Sequence, residues 1–455
     1  MNTDPTVTRE HGQLSALVAL GFYMIGLACL VTASGILLGF PEVLRGDPYR
    51  IEVIALAALA IPGFVGSFVF GTFYAVAALL SSTGLWSRPL ALVHLALHAL
   101  GMGWMVAAFG GMPFFERPFL GIVIGAMIVL AGVFALIANI TLTTGQRNRW
   151  EPAQLSVVTA LFWLGVTAAL AVGLVIEPFR PVLQMDAVQL IEAHAQLALG
   201  GFLWLGLLGT SLKLLSMFVV SNRSPGGFSW AGLVIINCAL LGMIPVLLFY
   251  PGAHAASVLA AIILGGSLLY FADMARLFAG TRKRPDAGLL AGLLGIATGI
   301  AVLAWMVAGM PVWAPEGTSL AVRELARIQF SIAVFGTFTL VFLGMGMRVV
   351  PFLVWRLRCA PLVSKRPTPS GADLSNPAGR GPALLCLAAA FAYLAAGQLT
   401  NNPAGVQIAV LCLLVGTGWF VYTLSPAIRA FFFGLDPIVT AEQAKTTAEI
   451  KRIAS

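Results

Sequence analysis

Apolar residues run along this chain in long stretches, interrupted only by short polar or glycine–proline segments. A helix needs about 20 apolar residues to cross the hydrocarbon core of a bilayer. Twelve stretches qualify: roughly 14–40, 51–81, 86–109, 119–142, 153–176, 188–220, 228–250, 254–279, 287–310, 322–355, 382–400 and 405–432. They end at glycine, proline and charged clusters such as Arg45-Gly46-Asp47-Pro48 and Arg282-Lys283-Arg284-Pro285. The pattern predicts an all-α polytopic membrane protein with 12 transmembrane helices and no soluble domain. The longest gap, 356–381, is rich in Pro, Ser, Gly and Arg and reads as a mobile cytoplasmic loop. Residues 433–455 read as a short polar cytoplasmic tail, with room for one amphipathic helix. The first apolar stretch is too long for the core of a cleavable signal, so the first helix is expected to stay in the mature protein.

Three of the stretches share a pattern. Gly63-Phe64, continuing to Phe70-Gly71-Thr72-Phe73-Tyr74, aligns with Gly201-Phe202, continuing to Leu208-Gly209-Thr210-Ser211-Leu212-Lys213. Both align with Gly336-Thr337, continuing to Leu343-Gly344-Met345-Gly346-Met347-Arg348. Gly71, Gly209 and Gly344 fall in register at offsets of 138 and 135, and Lys213 falls on Arg348. These are the second, sixth and tenth stretches, which all cross in the same direction. The chain therefore reads as three pseudo-repeated parallel four-helix units, about 14–142, 153–279 and 287–432, in a single transmembrane domain. Gly121/Gly125, Gly288/Gly292 and Gly295/Gly299 present small-residue faces for close helix packing.

Composition narrows the functional classes. Of 455 residues, 59% are hydrophobic and 10% charged, against about 25% charged in soluble domains. A soluble enzyme, a disordered protein and a nucleic-acid binder are excluded, and the lipid bilayer is the expected partner. The net charge of +8 is unevenly placed. Arg45, Arg50, Arg117, Arg180, Arg323 and Arg327 fall at one end of the spans, and the rest of the 26 basic residues fall at the other. The positive-inside rule then places both termini in the cytoplasm, with the protein in a bacterial-type inner membrane. Cys29, Cys238, Cys359, Cys386 and Cys412 form no Cys-x-x-Cys motif and read as small buried hydrophobes.

The candidate chemistry lies in the histidines. The chain has five: His11, His94, His98, His194 and His254. His94 and His98 are four residues apart and share a helix face, the spacing by which one helix offers two imidazoles to a metal. At ~1.5 Å per residue, His98 lies about 18 Å from the cytoplasmic face, and His194 about 21 Å, in a core ~30 Å thick. His98 and His194 are thus expected to share a level and to ligate a metal or cofactor, with His94 as an alternate ligand. Glu192 and Gln196, within a turn of His194, are candidates to orient its ring. Met102 and Met105 stand beside His98 in sequence, and thioethers favour Cu(I). Glu52, Asp186, Glu192 and Glu324 near the outer ends read as solvated interfacial charges, and Asp273 is expected to pair with Arg276.

A twelve-span chain in three four-helix arcs resembles subunit I of the haem–copper oxidases. More closely, it is similar to the NnrS-type and oxidase-subunit-I-like membrane proteins linked to nitric-oxide stress. The residues that carry the likeness are His194 with Gly201-Phe202, Gly209 through Lys213-Leu-Leu-Ser-Met217-Phe218, and Gly344-Met-Gly-Met-Arg348-Val-Val-Pro351-Phe352. The resemblance implies haem b or copper as cofactor, and a redox protein or respiratory-complex subunits as partners. It implies a role in nitric-oxide or metal handling, or in electron transfer. It also implies histidines on the second and tenth helices, where this chain has Leu56 and Gln329. The His-Pro-Glu, His-His and His-x-His patterns of the family's copper–haem centre are absent, so oxygen reduction by the standard mechanism is not expected. The alternative expectation is a cofactor-free transporter or a structural subunit of a respiratory membrane complex.

Overall fold

The computed structural model describes residues 5–46, 50–80, 84–110, 118–146, 150–177, 187–219, 221, 223–249, 253–281, 285–309, 327–363 and 368–435. Among them, twelve helices are long and apolar enough to cross a membrane. They are α1 Gln13–Gly39, α2 Ile51–Ala77, α3 Arg88–Phe109, α4 Leu120–Thr144, α5 Pro152–Leu174, α6 Gln189–Phe218, α7 Gly227–Phe249, α8 Ser257–Ala279, α9 Ala287–Ala308, α10 Arg327–Leu362, α11 Pro377–Leu399 and α12 Pro403–Thr423. The chain is an all-α, multi-pass membrane protein. Proline sits in the first turn of α3, α5 and α12, where its missing N–H has no helical partner to lose.

The twelve helices repeat one arrangement three times. Within each unit the first helix packs on the second, and the third and fourth form a tight hairpin. The units join through α4 on α5 and α8 on α9, and α12 closes back on α1. The result is a ring around α2, α6 and α10. Their most apolar windows are 67%, 78% and 94% buried, against at most 56% for any other helix.

The aligned glycines explain the close packing. A Cβ on Gly71, Gly209 or Gly344 would stand under 3 Å from the first helix of the same unit, against Tyr23, Ser156 and Ala291 respectively. Gly288, Gly292 and Gly295 face α10 of the same unit, against Gly344, Met345 and Val341, and Gly299 meets Trp204 of α6 as well as Thr337 of α10. The outer hairpins close on glycine pairs of their own: Gly101 with Gly125, Gly232 with Gly266, and Gly397 with Gly405.

The structure adds a feature that hydropathy does not show. Each central helix contains a π-helical segment: Leu59–Gly66 in α2, Ala198–Trp204 in α6 and Ala333–Phe338 in α10. They fall in register at the same offsets as the glycines. π-helical turns are rare and recur at functional sites.

Two boundaries differ from expectation. The last apolar stretch, 405–432, is not one span: α12 stops at Thr423, and a separate short helix, α13, runs Ser425–Phe433 with proline in its first turn. Residues 436–455 of the expected tail lie outside the described residues. The expected mobile loop, 356–381, is largely built. α10 continues as regular helix to Arg358 and α11 begins with a short turn at Pro377. Between them the Trp355 indole N–H donates to the Pro369 carbonyl (2.9 Å), Leu374 is fully buried, and the Asn376 N–H donates to the Thr423 carbonyl (2.8 Å).

Ion pairs and caps gather at the basic end of the bundle. Lys213 pairs with Glu151 (2.9 Å), and Arg348 and Arg380 share Asp286 (2.7 and 3.1 Å). Asp273 accepts hydrogen bonds from the Ser229 N–H (2.8 Å) and hydroxyl (2.6 Å) and pairs with Arg276 (3.3 Å), as the spacing predicted. Asn139 serves α3 similarly, accepting from the Ser87 N–H (3.0 Å).

Candidate functional site

His94 and His98 of α3 are both fully buried in the first unit. Their spacing puts both imidazoles on one face, towards α1 and α2. The Tyr74 hydroxyl hydrogen-bonds with His94 Nδ1 (3.2 Å), and the Ser67 hydroxyl with His98 Nε2 (2.8 Å). The remaining nitrogens, His94 Nε2 and His98 Nδ1, are buried without a hydrogen-bond partner. With each anchored nitrogen protonated and donating to its hydroxyl oxygen, the other keeps a lone pair that no donor meets.

Aromatic rings pack around the pair. Phe22 of α1 lies 4.6 Å from the His94 ring and 5.3 Å from that of His98. Phe70 of α2 lies at 5.2 and 5.4 Å, and the two imidazoles are 6.2 Å apart. An unpaired buried polar nitrogen costs about 1–3 kcal/mol. Here two such nitrogens belong to neighbouring imidazoles of one helix.

The internal repeat identifies this cluster as an addition to the common framework. In register with Ser67 stand Leu205 and Leu340; in register with Tyr74 stand Leu212 and Met347. At these two register positions, hydroxyls thus occur only in the unit whose third helix carries histidines. Sequence reasoning missed Ser67, Tyr74, Phe22 and Phe70. The mismatch between repeat partners is the signal that reveals the two hydroxyls.

His194 is placed differently. Its Nδ1 donates to the Thr167 carbonyl of α5 (2.9 Å). This backbone acceptor takes the orienting role expected of Glu192 or Gln196; Glu192 is exposed and Gln196 half-buried. α3 packs on α1, α2 and α4, whereas α6 packs on α2, α5, α7 and α8. α2 therefore stands between the two histidine sites, and the expected joint ligation by His98 and His194 is not assembled. A shared depth does not make two residues face each other. The side chains of His11, His254, Asp186 and Glu324 lie outside the described residues. Leu56 and Gln329, in register with His194, are both buried.

Among the described residues, no three His, Cys, Asp or Glu side chains converge as a metal site. A four-ligand site of the zinc type is therefore not built from them. Haem does not fit the histidine pair either, because Phe22 and Phe70 pack directly against both imidazoles and leave no slot for a macrocycle. The cavity at the bundle centre, lined by Tyr23, Thr72, Ser211 and Met345, measures only about 20 Å³, against the ~300–1,000 Å³ of ordinary cofactor pockets. The pair offers two buried ring nitrogens without a partner, each opposite a nitrogen already hydrogen-bonded to a hydroxyl.

No family model matches the chain, and a search of curated proteins finds no significant match.

Proposed function

We propose that this multi-pass membrane protein binds copper through His94 and His98 in its first four-helix unit. On this reading it acts in metal or nitric-oxide handling, or in electron transfer. The observation that carries the proposal is the pair of buried imidazoles, each anchored to a hydroxyl and each with its second nitrogen unpartnered. Metal-ligating histidines have this arrangement: a hydrogen bond at one nitrogen sets tautomer and ring orientation for ligation by the other. The threefold ring supports kinship with oxidase subunit I, and the departures from that family's histidines agree with a different metal position. Copper bound there supplies one-electron redox chemistry or a site for a diatomic gas. The chain's own groups do the positioning: Tyr74 and Ser67 hold the rings, and Phe22 and Phe70 exclude water. Copper replaces haem b as the cofactor of choice, and a redox protein or respiratory-complex subunit is the fitting electron partner.

The basic end faces the cytoplasm of a bacterial-type inner membrane in this reading, which a cytoplasm-dependent reporter fused after Ser455 checks by its signal. The main test is metal analysis of the purified chain after growth with copper, with a dithionite-reduced minus oxidised spectrum on the same sample. Near-stoichiometric copper, lost in His94→Ala and His98→Ala, is the expected result. Copper retained by the double variant overturns the site. A Soret band restores haem, and a metal-free, spectrally flat wild type points to a cofactor-free transporter or structural subunit.

A further inference from the structure

We infer that α13 is an interfacial helix, and that with Arg358 of α10 it binds an anionic phospholipid in the leaflet at the basic end of the bundle. The guanidinium groups take the lipid phosphate, and Phe432 and Phe433 lie among the acyl chains. None of these residues belongs to the histidine site.

α12 has 21 residues, and at ~1.5 Å each it matches the ~30 Å of a hydrocarbon core. It therefore leaves the core near Thr423, and α13 begins two residues later. The last turns of α12 carry Trp419 and Tyr422, 37% and 46% exposed, with rings 5.5 Å apart. Such aromatic residues mark the boundary between hydrocarbon and headgroups. The end of α10 stands at the same boundary. Gln13, in register with Glu151 and Asp286 of the ion pairs, donates to the Leu357 carbonyl (3.3 Å). The next residue, Arg358, donates to the Phe431 carbonyl of α13.

α13 divides its side chains by face. Ala427 and Ala430 are fully buried, and the helix packs on α10 and α12. Gly434, at a φ of +84°, ends it, and Leu435 beyond is buried again. Arg429, Phe432 and Phe433 share the outer side at i, i+3 and i+4. The two phenylalanines are 58% and 76% exposed. At a membrane boundary, apolar side chains on the outer face of such a helix are buried by lipid. The Arg358 guanidinium lies 5.8 Å from the Phe431 ring, which in turn packs on Phe432 (4.9 Å). Cationic and apolar groups thus adjoin on one surface, as a phospholipid requires.

Charge selects the lipid. α10, α12 and α13 contain no Asp or Glu, so the elements around Arg358 and Arg429 supply no carboxylate. Guanidinium groups match phosphate in geometry as well as in charge. Each basic residue near an anionic surface strengthens attraction about fivefold, and two do so roughly 25-fold.

The test places photoreactive p-benzoylphenylalanine at Phe433 of the full-length protein, in vesicles of phosphatidylcholine and phosphatidylglycerol. Irradiation is expected to join this position to phospholipid, read by mass spectrometry of the digested protein. A cross-link to residues 436–455 or to a second copy instead overturns the inference by identifying another occupant. Native mass spectrometry in detergent then compares the two lipids at equal chain length. Phosphatidylglycerol is expected to bind at least tenfold more tightly, and equal binding overturns the anionic preference. Arg358→Gln combined with Arg429→Gln is expected to lower phosphatidylglycerol affinity at least tenfold. Arg223→Gln, at an exposed arginine elsewhere on the basic end, should leave it unchanged. Unchanged affinity in the double variant overturns the site. If that variant fails to fold, judged by gel filtration, the cross-link and the wild-type lipid preference decide alone.

Discussion

At the scale of the residue, the two hydroxyls on α2 are the test of whether the histidine pair is a ligand set or only packing. Tyr74→Phe removes the partner of His94 Nδ1, and Ser67→Ala that of His98 Nε2. Either change leaves one more buried ring nitrogen unsatisfied, at a cost of about 1–3 kcal/mol. A lower melting temperature in detergent is thus expected from both. A merely structural role stops there. A metal-orienting role also weakens copper binding, by about 10–100-fold on the experience of other metal sites, measured by competition titration. Lower melting points with unchanged copper affinity would assign the hydroxyls to packing alone. The sequence shows that His94 and His98 share a face, because four-residue spacing on a helix dictates it. It does not show the anchors, which come from another helix 20 and 31 residues away. Depth arithmetic put His194 on a level with His98, but level says nothing about which way a side chain points around its helix.

At the scale of the element, glycine decides which helices come close. Gly209→Ala is expected to destabilise the bundle by about 1–3 kcal/mol, the usual cost of overpacking, because its Cβ would meet Ser156 and the Ala153 carbonyl of α5. Gly344→Ala meets Ala291 and the backbone of Gly292 and should behave alike. Gly103→Ala is the control: nothing stands within 4 Å of its Cβ, and replacing a mid-helix glycine there should leave the melting temperature unchanged or raised. Equal effects at all three positions would mean that backbone flexibility, and not contact, sets the response. The π-helical segments give a second prediction. Deleting Ala198 should draw the π turn of α6 back to regular helix and rotate its first turns by about 100°. His194 would then lose Thr167, and thermal stability should fall more than for deletion of Gly371, where nothing stands within 4 Å of the Cβ position. The sequence contained the three glycine registers and hence the repeat. It could not show the π segments, because a phase shift is legible only where a polar face interrupts an apolar one, and α2, α6 and α10 are apolar nearly all round.

At the scale of the whole molecule, the three units are alike in frame and unlike in polar content. Glu151 pairs with Lys213 in the second unit, and Asp286 with Arg348 in the third, at matching offsets in the repeat. The first unit has Gln13 and Ala75 at these positions. There Gln13 Nε2 instead donates to the Leu357 carbonyl of α10 (3.3 Å), a contact across the seam where the ring closes. The two ion pairs therefore differ in what their loss would do. Glu151→Gln removes one partner of a pair whose side chains are 37% and 21% exposed, and exposed pairs contribute about 0–1 kcal/mol. Asp286→Asn is a larger change. Asp286 is 17% exposed, holds both Arg348 and Arg380, and accepts from the Leu289 N–H at the start of α9 (3.1 Å). Its neutralisation leaves two guanidinium groups facing each other with no anion between them. The expected loss is about 1.5–3 kcal/mol, the range for hydrogen bonds to charged groups. It should be read as a fall in melting temperature clearly larger than that of Glu151→Gln. Added salt should recover part of it, by screening the two arginines, whereas it should slightly lower the melting point of the wild type. If the two variants melt alike at low salt, Asp286 does not hold the third unit closed, and the seam depends on the glycine contacts of α9 and α10 alone.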